Sequence, residues 1–427
     1  MNPVGIAFII LLVLLFAKVP VFISLLAGVA SYMLFNPDVS SQIIAQKFIS
    51  GCESTSLMAI PFFICAGIFM NYSGITRRIM NLCGVLTGRL SGGLAQVNIL
   101  LSTFMGGLSG SSLADAAMQS KMLVPEMERK GFSKPFSSVV TAFSSLITPL
   151  IPPGLAMIVY GTIANISIGK LFVSGLGIGV LLCVTMMVLV AVISRKRGYG
   201  QLRTERVTAQ EFWIALRGAL LPLCLPIVII GSIRLGICTA TEAGAVAVIY
   251  SLVLGLYYHE IKPRDVLEGL KEAAISTAGI MLIVGAASCF SWIMTKEQLP
   301  QAMAALMVNM IHNKYIFLLL TNILLLIAGM FLEGNAIMLV LVPLMVPIAA
   351  SYGIHEINFA MMFIFNIAIG SITPPMGTCM FVTCGITKCS TTDFIKESLP
   401  FFLLMGGLLL LISYVPIFST GLVELIY

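Results

Sequence analysis

Charge is what this chain lacks most: only 10% of its 427 residues are Asp, Glu, Lys or Arg, against the roughly 25% usual in soluble domains. With 59% hydrophobic residues and a mean hydropathy of +1.04, the composition excludes an ordinary water-soluble domain and implies an integral membrane protein. Histidine is scarce as well. His259, His312 and His355 fall at the ends of apolar segments, which argues against a histidine proton relay inside the bilayer. The ten Cys stand singly, mostly within apolar runs (Cys65, Cys183, Cys224, Cys289), with no CxxC pair and no metal spacing, so they read as small core residues. There is no GxxxxGK[ST] loop; no ATP site is expected, and an ion gradient is the expected driving force. A membrane-embedded enzyme could also place Asp and Ser in a wet pocket, but no HExxH motif, no GxGD-type Asp pair and no His within the spans supports one. The two Trp, Trp213 and Trp292, lie near span ends and suit an interfacial belt. No polar linker of domain size divides the chain.

Apolar runs long enough to span, about 20 residues each, occur near 4–35, 48–71, 136–164, 171–194, 212–231, 238–258, 272–293, 315–332, 358–386 and 399–423. Stretches near 92–127 and 333–352 are apolar too, but Gly, Ser, Pro or charge interrupts each near its middle. These two are expected to be re-entrant hairpins. Lys18 and Pro20 interrupt the first run, which predicts a Pro kink beside a snorkelling Lys. That run has no basic n-region and no small-residue cleavage site, so it is expected to stay on the mature protein. Leu299 to Asn313 is too short and polar to span and is placed on the outer surface. Thr239 to Glu242 matches the S/T-x-x-E capping box at the start of an apolar helix.

The net charge of +6 is unevenly spread. Arg195, Lys196, Arg197, Arg203 and Arg206 crowd one loop, which the positive-inside rule assigns to the cytoplasm. Counting spans outward from that loop puts Arg77, Arg78, Arg89, Arg129, Lys130, Lys134, Lys262, Arg264, Lys271, Lys388 and Lys396 on the same side. The first hairpin is then flanked by cytoplasmic charge, and the second by Asn313-Lys314 and His355-Glu356 on the outside. Two inverted halves, 1–206 and 207–427, are therefore expected.

A repeated pattern supports that division. Gly110 matches Gly334, Val124-Pro125 matches Val346-Pro347, Gly131 matches Gly353, and Thr148-Pro149 matches Thr373-Pro374, at offsets of 222 to 225 residues. The breaks Pro152-Pro153-Gly154 and Thr373-Pro374-Pro375 to Gly377 follow the two hairpins. Pro and Gly leave backbone groups that lipid cannot satisfy, so such breaks must be buried in protein or line a wet cavity. Matched interruptions in two halves point to a midplane binding site in a secondary transporter.

At the first tip, Ser109, Gly110, Ser111 and Ser112 offer hydroxyls and accessible backbone suited to a hard cation such as sodium, although Ser/Gly runs also form helix-packing faces. Asp115 lies four residues after Ser111, so on a helical arm both face one way. A carboxylate at that depth is costly; it either attracts cations or orients polar groups around an anionic substrate, and the bland alternative is an acid at a helix start. Glu333 is the only acid in the second hairpin's arms, and Asn335 can ligate an ion or cap the second arm. Freed carbonyls near Thr148-Pro149 and at Gly370 to Gly377 can bind cations, while half-helix starts at Gly154 and Gly377 favour a carboxylate.

The segments GGLSGSSLADAA (106–117), IPPG (151–154), IPFFICAG (60–67), TEAGAVAVIY (241–250) and ITPPMG (372–377) resemble the large membrane subunit of the tripartite ATP-independent periplasmic (TRAP) transporters, in order and over nearly the whole chain. The resemblance implies an all-α polytopic fold of two inverted repeats, each with a re-entrant hairpin and a Pro-broken helix. It implies a sodium-driven importer of C4-dicarboxylates, sialic acids or similar carboxylates in a bacterial inner membrane, working as a one-sided elevator and using no cofactor beyond the coupling ion. A periplasmic substrate-binding protein and a small membrane subunit of about four helices would be its partners; a stand-alone carboxylate symporter is the alternative. Carried over by residue, Ser109, Gly110, Thr148 and Pro149 would ligate one sodium. Gly334, Asn335, Gly370, Thr373 and Met376 would form a second site, and Ser111, Ser112, Asp115, Gly154 and Gly377 would face the substrate. Gly154 stands where the family often has Ser, and Glu333 where it often has Asp, so backbone roles carry over at these two positions more directly than side-chain roles.

Overall fold

The computed structural model describes residues 3–17, 19–53, 55–202 and 207–427, with the side chains of 55, 56, 107–109 and 308 set aside. Lys18, Arg203, Arg206 and the Ser109 hydroxyl therefore lie outside the described residues. Every regular element among the described residues is helical.

The first apolar run folds as two helices, α1 (Pro3–Phe16) and α2 (Val21–Phe35). Gly28 faces the Ala7 carbonyl, so closely that a Cβ would lie 3.1 Å from it. Two residues this far apart in sequence meet only if the chain reverses, so the expected single kinked helix is corrected to an antiparallel pair. Pro20 lacks the N–H that would continue α1, and small residues let the two helices close on each other. The run near 48–71 is also divided, into α3 (Ser41–Cys52), a 3-10 turn (Thr55–Met58) and α4 (Ala59–Tyr72). At Ser73-Gly74 the chain turns by 71° into α5 (Ile75–Thr87). Helix α5 is amphipathic: Ile75, Ile79, Leu82 and Cys83 are buried on one face, while Arg77, Arg78 and Asn81 lie on the other.

The first hairpin joins α6 (Gly93–Ser109) to α7 (Ser112–Arg129). A broken helix follows: α8 (Lys134–Ser144), a 3-10 turn (Thr148–Leu150) and α9 (Leu155–Ala164), bent by 43° at the break. Four long helices come next, α10 (Ile168–Arg197), α11 (Ala209–Arg234), α12 (Ala240–Tyr257) and α13 (Pro263–Lys296), and then the short α14 (Leu299–Met310). Thr239 and Glu242 cap α12 reciprocally, as the pattern predicts, with N–H to oxygen distances of 2.7 and 3.3 Å. The second hairpin is α15 (Lys314–Phe331) with α16 (Gly334–Ser351), followed by α17 (Glu356–Gly370), the break, α18 (Thr378–Thr387), α19 (Thr391–Tyr414) and α20 (Ile417–Ile426).

This second hairpin corrects the expected boundary of 333–352. Its turn is at Leu332-Glu333, and α16 runs on through Pro343 and Pro347. Phe317 near the start of α15 stacks on Tyr352 just beyond α16, with centroids 4.6 Å apart, which closes the two arms into one hairpin. An apolar α15 of 18 residues reads as a span by itself, which is why its partner helix alone looked like the hairpin.

The repeat register is constant rather than drifting. The caps Ser111 and Glu333, the left-handed Gly131 and Gly353, the caps Ser133 and His355, and the cis bonds Pro152-Pro153 and Pro374-Pro375 are all 222 residues apart. Thr148-Pro149 therefore corresponds to Gly370-Ser371, not to Thr373-Pro374. Pairing Thr-Pro with Thr-Pro follows identical dipeptides; the structure matches backbone roles. At the centre, α8 from Phe136 onward and α17 from Ile357 onward are buried all round, as expected of helices surrounded by other helices.

Candidate substrate and ion site

The two hairpin tips and the two helix breaks meet around a cavity of about 150 Å³. At the first tip, Gly110 adopts φ +59 and lies so near the opposite break that a Cβ would be 3.0 Å from the Pro153 carbonyl and 3.1 Å from the Leu155 amide. Both are backbone atoms, so no side chain can rotate away; only glycine fits. Ser111 then starts α7, its hydroxyl accepting the Ala114 N–H at 3.4 Å. At the second tip, Glu333 plays the same part for α16: its carboxylate accepts the Ala336 N–H at 3.2 Å and the Asn335 Nδ2–H at 2.8 Å. Asn335 thus supports the cap rather than forming it.

Helices α9 and α18 begin at Gly154 and Gly377, neither of which supplies a side-chain cap. Leu155 and Ala156 line the cavity on one side, and Thr378 and Cys379 on the other. The starts of α7, α16, α9 and α18 consequently face one space, and each brings the partial positive charge of a helix N-terminus. Along the two breaks, of which Pro149 lines the cavity, no backbone amide among the described residues donates to the carbonyls of 149–153 or 372–376. Neutral oxygens of this kind fit a hard cation such as sodium. The arrangement can therefore hold an anionic group against helix starts and cations against freed carbonyls.

Of the expected site residues, the cavity gathers Gly110, Ser111, Ser112, Pro149, Gly334 and Asn335. It does not gather Asp115. Ser111 is extended (φ −121, ψ 115) and precedes the helix, so the four-residue spacing does not align the pair as it would within a helix. Asp115 turns inward instead, accepting Ser102 Oγ at 2.7 Å, Gln119 Nε2 at 2.8 Å and Thr148 Oγ1 at 3.1 Å. Beyond these, Ser102 Oγ is 3.0 Å from Ser144 Oγ, which donates to Asn98 Oδ1 at 2.8 Å. The carboxylate so ties both arms of the first hairpin to the broken helix. Its polar surroundings explain how a carboxylate can be buried there.

Thr148 uses its hydroxyl on Asp115, and Thr373 donates to the Ile369 carbonyl at 2.8 Å; both belong to the breaks without lining the cavity. Gly370 packs on Gly329 of α15, where a Cβ would meet Gly329 Cα at 2.6 Å. Met376 and Gly377 also lie outside the cavity lining. So does Gly154, where a Cβ would approach the Pro149 carbonyl to 2.1 Å, so a serine there would require the break to move. Lining residues beyond the expected set are Ser371, Thr378 and Cys379, with Met338, Ile364 and Ile367 as an apolar wall. The constant register is the signal for the polar pair, since Ser371 corresponds to Pro149 and Thr378 to Ala156.

The family described as "Tripartite ATP-independent periplasmic transporter, DctM component" matches residues 8–418. Among relatives, the chain is 37% identical over 413 residues to the sialic acid TRAP transporter large permease protein SiaM of Vibrio cholerae, with 96% of each chain covered. It is 35% identical over 398 residues to the C4-dicarboxylate TRAP transporter large permease protein DctM of Pseudomonas aeruginosa, covering 93% of this chain and 92% of that one. It is 34% identical over 417 residues to the isethionate TRAP transporter permease protein DctMQ of Oleidesulfovibrio alaskensis, covering 97% of this chain and 65% of the relative. Among solved structures, the YdaH transporter of Alcanivorax borkumensis superposes with a TM-score of 0.60 over 89% of this chain and 88% of its own, at 16% identity, a likeness of fold alone.

Proposed function

This chain belongs to the DctM component of the tripartite ATP-independent periplasmic transporters, and on that footing we propose that it is the transport-conducting subunit of a sodium-coupled importer of organic acid anions. The observation that carries this reading is the convergence of four helix starts on one cavity bounded by two broken helices. Helix starts favour an anionic head group, and freed carbonyls beside them favour the coupling cations. The substrates named for the relatives include a sialic acid, C4-dicarboxylates and isethionate, which share an anionic group. A C4-dicarboxylate, sialic acid or similar carboxylate is the substrate class. Sodium ions would bind the carbonyls around Gly110 and Pro149 and, in the second half, those between Gly334 and Met376.

In this reading the halves 1–206 and 207–427 are inverted, and the hairpins with their broken helices move as a block against the remaining helices of a bacterial inner membrane. A periplasmic binding protein delivers the substrate, and a small four-helix membrane subunit braces the scaffold; the greater length of DctMQ is compatible with a further component. The test is uptake into proteoliposomes holding the large and small subunits, with the binding protein outside. Uptake should require an inward sodium gradient and the binding protein. Uptake that persists with no ion gradient overturns the coupling, and robust uptake by this chain alone favours the stand-alone symporter.

A further inference from the structure

We propose that a cleft between α5, the first hairpin and the start of α11 binds an anionic phospholipid of the cytoplasmic leaflet, with its phosphate between Arg78 and Lys130. The cleft has a volume of about 970 Å³ and is separate from the tip cavity. Its wall is apolar: Met80 and Val85 from α5, Leu94 and Val97 from α6, and Met122 and Leu123 from α7.

The charges at its rim are unequal in their partners. Arg77 pairs with Glu260, Glu126 pairs with Arg129, and Glu211 caps α11 with Thr208. Arg78 and Lys130 have no ion pair among the described residues. The Arg78 guanidinium is fixed over the Tyr258 ring at 3.8 Å, and its Nε is buried without a hydrogen-bond partner. Arg78 and Lys130 are thus the two cations of the cleft without an acid directly paired to them, although Glu126 and Glu211 also line it.

That combination distinguishes a lipid from a soluble anion, which would gain nothing from the apolar wall. Ile214, 62% exposed, lines the cleft next to Trp213, 58% exposed, so the groove continues onto an apolar surface marked by an interfacial aromatic. The 71° turn between α4 and α5 lays the amphipathic α5 across the end of a span, as an interfacial helix requires. The side is set by the positive-inside assignment of Arg77, Arg78 and Lys130. Basic pockets between helices on that side recognise anionic head groups. The lipid would sit between the first hairpin and α5, touching both.

The test is native mass spectrometry of the full chain in mixed micelles of equimolar phosphatidylglycerol and phosphatidylethanolamine. The wild type should carry phosphatidylglycerol in preference, and Arg78→Gln with Lys130→Gln should weaken that binding about 30-fold, two cations each contributing the usual surface increment. Met122→Trp narrows the apolar wall while keeping both cations and should weaken lipid binding, whereas Arg89→Gln, outside the cleft, should retain it. Thermal melts verify folding, and Met122→Trp carries the test if the double variant does not fold. Equal amounts of both lipids on the wild type overturn the proposal, as does a preference that survives both the double variant and Met122→Trp. Displacement of the lipid by inorganic phosphate overturns it in favour of a soluble anion.

Discussion

Replacing Asp115 by alanine removes the acceptor on which three buried donors converge, and the cost follows from what each donor then faces. Ser102, Gln119 and Thr148 all donate to the carboxylate, at 2.7, 2.8 and 3.1 Å, and all are fully buried. A buried donor left without a partner costs roughly 1–3 kcal/mol in soluble proteins, while interhelical hydrogen bonds in membranes average about 0.6 kcal/mol. Gln119 still donates to Ser102 Oγ at 2.6 Å, and the Ser102 hydroxyl still has Ser144 Oγ at 3.0 Å as an acceptor, so only Thr148 is left with no partner. The loss should therefore fall between about 2 and 4 kcal/mol. Denaturant unfolding of the purified chain in detergent measures it. Thr148→Val should cost about 1 kcal/mol alone and less than that in the Asp115→Ala background, because the two share one bond. Asp115→Asn, which keeps one carbonyl acceptor, should fall between wild type and alanine. If Asp115→Ala unfolds with the wild type and changes only the KM for substrate, the bracing role is refuted and the residue contacts substrate.

Other substitutions test the tip and the breaks. Gly110→Ala combines a left-handed backbone, worth about 1–2 kcal/mol against a side chain, with a Cβ 3.0 Å from the Pro153 carbonyl; uptake should be lost while the protein stays monodisperse, and normal uptake would show that the tip does not need this approach. Gly154→Ser places a Cβ 2.1 Å from the Pro149 carbonyl, so uptake should fall and its sodium dependence shift; unchanged sodium dependence would contradict a role for this break in cation binding. Tyr199, in the turn after α10, is pushed up by burial, but hydrogen bonds with Ser133 and the neighbouring Arg197 outweigh that and leave its phenol below the ordinary value of 10.0. A lowered folded pKa adds stability as pH rises through it, fully present above the unfolded value and lost as pH falls. Tyr199→Phe should therefore remove this alkaline gain, so that its deficit in stability against the wild type grows as pH rises toward 10.0, and a deficit independent of pH would sink this account.

How much of this was legible in the chain depended on whether each feature is carried by composition or by backbone shape. Helices α10 to α12 are long apolar segments, and hydropathy locates each within about three residues, whereas α13 begins nine residues before the expected 272 because its first turns carry charge. The first hairpin was legible because Ser109 to Ser112 interrupts its middle with polar residues. The reversal between α1 and α2 and the turn at Leu332-Glu333 were not, since each falls within or beside apolar sequence that reads as a span. The inward turn of Asp115 was hidden for another reason: whether Ser111 belongs to α7 or precedes it decides which way the carboxylate points, and that depends on a cap. The register offers the sharpest case. Matching Thr-Pro with Thr-Pro produced a drift of three residues, whereas Gly131 with Gly353 and Ser133 with His355 hold one offset. Gly131 and Gly353 share a residue and a left-handed backbone, but Ser133 and His355, like Ser111 and Glu333, are alike in backbone role although their side chains differ. In a repeat whose site is made of helix starts and freed carbonyls, what must persist is the shape of the backbone. Side chains at corresponding positions are then free to diverge, and Pro149 can face Ser371 across the same cavity.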